Sequence, residues 1–139
     1  MADNEIMLKS IELLQAIGSR DLEATKELVN YFNDNEDSIN SFINFNQHFL
    51  DKIDANFDNE ALIYAINNLK DLRNSLLKWT LTITQLQKTN NKQDIEKFIT
   101  DYVNSDIELE NYQLASLVEL CTSNNRYDLL DLIHAKLSN

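Results

Sequence analysis

Gly18 is the only glycine in this chain, and proline does not occur. Tight turns, hairpins and bulges draw heavily on those two residues. Glycine reaches left-handed backbone without penalty, and proline pre-sets the first corner of a turn. A chain that does without them, while rich in Leu, Ile, Glu, Asp, Lys and Gln, is confined to helices joined by short polar turns. Asparagine takes over the turn role, since it tolerates the left-handed region better than most residues. The expected fold is all-α and a single domain over residues 1–139, a length that with 43% hydrophobic residues holds an ordinary core.

Apolar spacing resolves about seven helices, with a helical hairpin at each end. The first runs over 4–17 and the second to about 33, with Gly18 placed as a left-handed residue after the first and Ser19 as the next cap. A third helix over 37–53 carries Phe42, Phe45 and Phe49 into the thickest part of the core. From Asp58 to Lys88 a long central helix is expected, capped by Asp58. Leu62, Leu69, Leu76 and Ile83 recur every seven residues there, and Ala65, Leu72, Trp79 and Leu86 follow three residues after each. The alternation Trp79-Thr80-Leu81-Thr82-Ile83-Thr84 has the pattern of a strand. It continues the seam with no turn signal and has no second strand to pair with, so helix is the better reading. Further helices follow over 92–104, from Ser105 or Asp106 to about 121, and over 126–137. The hairpins at 10–32 and 116–137 are alike, and their outline resembles that of ankyrin or tetratricopeptide repeats. The signatures of those repeats are missing and no period recurs between, so the likeness reads as convergence on a simple hairpin.

The formal charge of −11 and pI near 4.4 oppose nucleic-acid binding, which needs a basic footprint. They favour a partner with a basic surface. The charge is uneven: residues 1–69 hold 13 acids and 4 bases, residues 98–139 hold 7 and 2, and residues 70–97 hold 3 and 6. The middle of the chain is thus a basic stripe between acidic flanks. The first residues lack the basic and apolar regions of a signal peptide, and no apolar run is long enough to span a membrane. A cytoplasmic, membrane-free protein is expected.

Chemistry finds little to stand on. With a single glycine, the glycine-rich phosphate and nucleophile motifs cannot form. His48 beside Asp51 and His134 beside Asp131 are each half of a metal site at most, and surface or capped histidine is the better reading. Asp54-Ala-Asn56-Phe-Asp58 opens like a calcium loop, but Asn59 stands where glycine is needed and Ala65 where the bidentate glutamate belongs. Cys121, among Leu117, Val118 and Leu120, reads as a small core residue. No cofactor, metal or catalytic residue is assigned, and the chain is expected not to be an enzyme.

The reading that remains is a small acidic helical binder or inhibitor of another protein, of immunity, antagonist or chaperone type. The candidate partner-binding residues are Trp79 with the basic Lys70, Arg73 and Lys78, and the acidic Asp34, Glu36, Asp37, Asp54 and Asp58. For Trp79 a place in the core is the better reading than a binding anchor. The acids, with Asp51 and Glu60, would gather in a patch near one end; as a DNA mimic they would have to reproduce phosphate spacing, against which the basic stripe counts. Two alternatives are a homodimer paired along the long central helix, and a small enzyme or ligand carrier with a site between helices.

Overall fold

The computed structural model describes residues 2–35, 39–41, 43–72 and 75–139, with the side chains of 2, 3 and 41 left aside. Among these residues every regular element is helical, as the missing glycine and proline require. The helices are α1 (Ala2–Gly18), α2 (Leu22–Asp34), α3 (Phe45–Leu50), α4 (Ile53–Asn56), α5 (Glu60–Asn68), α6 (Leu76–Thr89), α7 (Lys92–Val103), α8 (Asn111–Ser123) and α9 (Tyr127–Leu137). Single 3₁₀ turns stand at Ile39–Ser41 and Lys70–Leu72. Where one domain is expected, backbone contacts divide the chain into two compact units, Met1–Thr84 and Gln85–Asn139.

In the first unit α1 and α2 form the expected hairpin, and α5 packs on both. The turn closes without help from glycine. Gly18 is the last residue of α1 and has no positive φ; Arg20 takes the left-handed position instead, at φ 58°. The Arg20 N–H donates to the Ile17 carbonyl at 3.0 Å and the Asp21 N–H to the Ala16 carbonyl at 2.8 Å, the paired closure of a Schellman motif. Asp21, not Ser19, caps α2 by accepting from the Ala24 N–H at 3.1 Å. The Arg20 guanidinium also reaches beyond the turn, to Asp58 at 3.3 Å and the Ala55 carbonyl at 3.4 Å. The α8–α9 turn in the second unit repeats this closure. There Asn125 is left-handed at φ 57°, and the Arg126 N–H reaches the Cys121 carbonyl at 2.8 Å.

The expected long central helix is broken. It stops at Asn68, makes a 3₁₀ turn and resumes at Leu76. The break has a tertiary cause. Asn33 of α2 donates its side-chain amide to the Asn68 carbonyl at 2.8 Å and accepts the Lys70 N–H at 3.3 Å, so the groups that would continue the helix are already bonded. Leu69 has extended backbone, and both Leu69 and Leu72 are buried by the detour. Leu62, Ala65, Leu69, Leu72 and Ile83 bury as the seam predicts, whereas Leu76 is exposed and α6 also buries Leu77 and Leu81 off the seam. Trp79–Thr84 lies within α6 as helix, and Thr80 and Thr82 donate back to the Leu76 and Lys78 carbonyls at 2.8 and 3.0 Å.

Two further boundaries differ from expectation, and both follow from small polar side chains. The third helix is split into a 3₁₀ turn, α3 and α4, because Asn40 accepts the Phe45 N–H at 3.1 Å and Asn44 accepts that of Gln47 at 3.0 Å. Asn59, not Asp58, caps α5. Its buried side chain accepts from the Ala61 N–H at 3.1 Å and donates to the Ile17 carbonyl at 3.0 Å, tying the start of α5 to the end of α1. The segment that opened like a calcium loop is thus the α4–α5 junction. The core of this unit gathers Leu13, Ile17, Phe32, Phe45, Leu62 and Ile66, with the Phe45 and Phe49 rings 4.8 Å apart. In the second unit α9 packs on α7 and α8 over Ile95, Ile99, Leu117, Leu120, Leu129 and Ile133.

Candidate functional site

α1 is apolar on two sides. Leu13, Ala16 and Ile17 lie in the core, whereas Met7, Leu8 and Ile11 are 40%, 60% and 42% exposed. Helical spacing puts these three together on the face turned away from the core. Glu12 and Gln15 follow Leu8 and Ile11 at i+4 and form the near wall of a groove of about 430 Å³ between α1 and α2, whose other side carries Asp21, Glu27 and Tyr31. Lys9 is the groove's one cation. Its ammonium lies 5.4 Å from the Tyr31 ring centre and 3.4 Å from Glu12, so it is engaged within the groove. The surface offered is an apolar stripe bordered by carboxylates.

The candidates named from sequence fall elsewhere in the first unit. Asp34 is exposed at the C-terminal end of α2, and Lys70 lies close by, donating to the Asn33 carbonyl at 3.3 Å. Asp54 is exposed on α4, and Asp58 is occupied by Arg20. α2 and α5 run parallel, since Asn59 reaches the α1–α2 turn and Asn68 reaches Asn33. Asp34 and Asp58 are therefore separated by the length of α2, roughly 20 Å at 1.5 Å per residue, so these two do not share one patch. Lys78 and Trp79 are half-buried on α6. Glu36, Asp37 and Arg73 lie outside the described residues. The stripe on α1 went unnamed, although its signal is in the sequence: apolar residues at 6, 7, 8, 11, 13, 14, 16 and 17 surround the helix rather than line one side.

The second unit holds its own polar constructions. Arg126 grips Asp128 with two bonds of 3.0 and 2.9 Å and reaches Glu96 of α7 at 3.5 Å. The guanidinium holds the Asp128 carboxyl below the usual aspartate range, and Asp128 in turn raises the Arg126 pKa. Lys136 of α9 donates to the Tyr102 and Ser105 carbonyls, both at 2.7 Å, and stands 4.1 Å from the Tyr102 ring centre. That places a cation on the exposed carbonyls at the end of α7, where the helix dipole favours it. Ser105 is consumed there too, donating to the Tyr102 carbonyl at 2.7 Å and accepting the Ile107 N–H at 3.3 Å. It cannot also open the next helix, so α8 starts at Asn111, not near Ser105 as expected. Residues 106–110 run without helix, turn or bend along a cleft of about 460 Å³.

Cys121 is fully buried, and its thiol pKa is pushed up by burial first and by Asp128 second, the reverse of what a reactive thiol needs. His48 faces Lys52, at 3.4 Å between Nε2 and Nζ, and burial followed by that ammonium lowers its pKa. Among the described residues no group of three or more His, Cys, Asp or Glu is placed to hold a metal ion, and no helix is long and apolar enough to cross a membrane. Compared with protein-family models, curated proteins and solved structures, the chain matches none.

Proposed function

We propose that this protein is a non-enzymatic binding module that engages another protein through the outer face of α1, as a cytoplasmic inhibitor or antagonist. One observation carries the reading: Met7, Leu8 and Ile11 form an exposed apolar stripe beside an acidic groove on a folded helix. Apolar side chains that stabilise nothing within the fold are a common mark of a partner surface when they are contiguous and rimmed by polar groups. The carboxylates of Glu12, Asp21 and Glu27 give the partner its chemistry, an apolar contact ringed by Lys or Arg. Charge of this kind raises association rate and selects among partners more than it adds affinity. Of the shifted titrating groups, Asp128, Arg126 and Lys97 face ion-pair partners, while His48 and Cys121 are shifted first by burial. Homodimer pairing along residues 58–88 loses its footing, since the helix it requires ends at Asn68 and gives way to a 3₁₀ turn at Lys70–Leu72.

The test is capture from the native host with the wild-type chain and with the double variant Leu8→Asp/Ile11→Asp. Both positions are exposed, so circular dichroism should be unchanged. A partner retained by wild type at low salt, lost to the variant and weakened at high salt is the expected result. Equal retention by the two chains would sink the proposal. Light scattering on the wild type at two concentrations separates the remaining occupant: a mass that rises with concentration would assign the stripe to a second copy.

A further inference from the structure

The cleft of the second unit has a wall made of main chain. Residues 106–109 run straight between two fixed points. At the start, Lys136 holds the Ser105 carbonyl at 2.7 Å; at the end, the Glu110 N–H donates to Gln113 at 3.0 Å as one half of a capping box. Between these anchors, no hydrogen bond from the described residues engages the N–H groups of Asp106, Glu108 and Leu109 or the carbonyls of 106–109. In a straight segment alternate side chains share a face, which groups Ile107 with Leu109 and Asp106 with Glu108. Leu109 is half-buried, whereas Ile107 is 62% exposed, and Leu137 across the cleft is 55% exposed. The charge around the segment has one sign: from residue 98 to 125 there are five acids and no base. Lys136, the only cation lining the cleft, is committed to two carbonyls and the Tyr102 ring.

We infer that this cleft binds an extended segment of a partner protein, paired edge to edge with residues 106–109 and carrying basic residues in alternation with apolar ones. An incoming strand satisfies the open N–H and C=O groups, the mode by which extended peptides add to a free backbone edge. Its apolar side chains meet Ile107 and Leu137, and its Lys or Arg side chains meet Asp106 and Glu108. Because the segment is held at both ends before binding, little ordering cost falls on this side of the complex. The inference rests on the reading of the chain as a protein-binding module, but not on the α1 stripe.

A random nonapeptide library displayed on phage and selected on the full chain tests it. The expected consensus alternates Lys or Arg with Val, Ile or Leu. A synthetic peptide of that consensus should slow hydrogen exchange at the amides of Asp106 and Glu108, which point to one edge of the segment. Asp106→Lys/Glu108→Lys should weaken the peptide about tenfold or more, as expected for reversing two charges at the contact. Leu8→Asp/Ile11→Asp should leave it unchanged, so failure of the α1 proposal and failure of this one give different results. No enrichment, a consensus without basic residues, or peptide binding that leaves the Asp106 and Glu108 amides unprotected would each overturn the assignment.

Discussion

At the scale of single residues, left-handed backbone in this chain falls to residues other than its one glycine. Arg20, Asn90 and Asn125 have positive φ, and Gly18, the residue composition singles out, does not. A Cβ built on Gly18 meets nothing within 4 Å. Glycine costs a helix roughly 0.5–1 kcal/mol relative to alanine, partly through the extra freedom of its unfolded state. Gly18→Ala should therefore stabilise the protein by about that amount, read as a higher urea midpoint at unchanged slope. A loss of stability would restore Gly18 to the turn. Asp128 gives a second residue-scale test. Its pKa is depressed in the folded state, so the stability it contributes is present above about pH 4, the unfolded aspartate value, and is lost as pH falls through the folded value. Asp128→Asn should be less stable than wild type at pH 7, and the two should converge as pH drops below about 4. A gap that persists in acid would mean that the side chain acts through packing rather than charge.

At the scale of elements, local signals were legible and tertiary ones were not. The hairpins at both ends, helix α7 and its Asn91 cap, and the helical state of Trp79–Thr84 all follow from periodicity and from polar residues close in sequence. The break after Asn68 does not, because it is made by Asn33, which lies 35 residues away. Ser105 illustrates the same limit: it reads as a cap for α8 until Lys136, 31 residues further on, fixes it at the end of α7. The candidate site was the least legible part. Leu8 and Ile11 have the same chemistry as Leu13 and Ile17, and only the packed fold shows which pair faces outward. Asp34 is the last residue of α2 and Asp58 stands one residue before the Asn59 cap of α5, and their separation along α2 depends on the direction of α5.

At the scale of the whole molecule, the excess of negative charge acts against the compact state. The ion pairs present are mostly exposed and local, Lys97 with Asp101 and Lys26 with Glu23 among them, and pairs of that kind contribute little. A net charge of −11 should therefore be felt as self-repulsion. Raising NaCl from 20 to 500 mM is expected to raise the melting temperature by about 3–5 °C, through screening worth about 1 kcal/mol. A fall would show that the ion pairs outweigh the repulsion. The same screening should slow encounter with a basic partner, so salt should stabilise the free protein and weaken its complex.

Lys136 also has a chemical consequence. An acylating reagent must reach the amine nitrogen, and this one is tied to two carbonyls beside an aromatic ring. Lys92, exposed at the first residue of α7, makes no such contact among the described residues. Acylating reagents at limiting dose should modify Lys92 early and Lys136 late, with peptide mass mapping to follow the order. Any change that frees the end of α9 would then be recorded as a covalent mark on Lys136, giving a dated record of when that helix lets go.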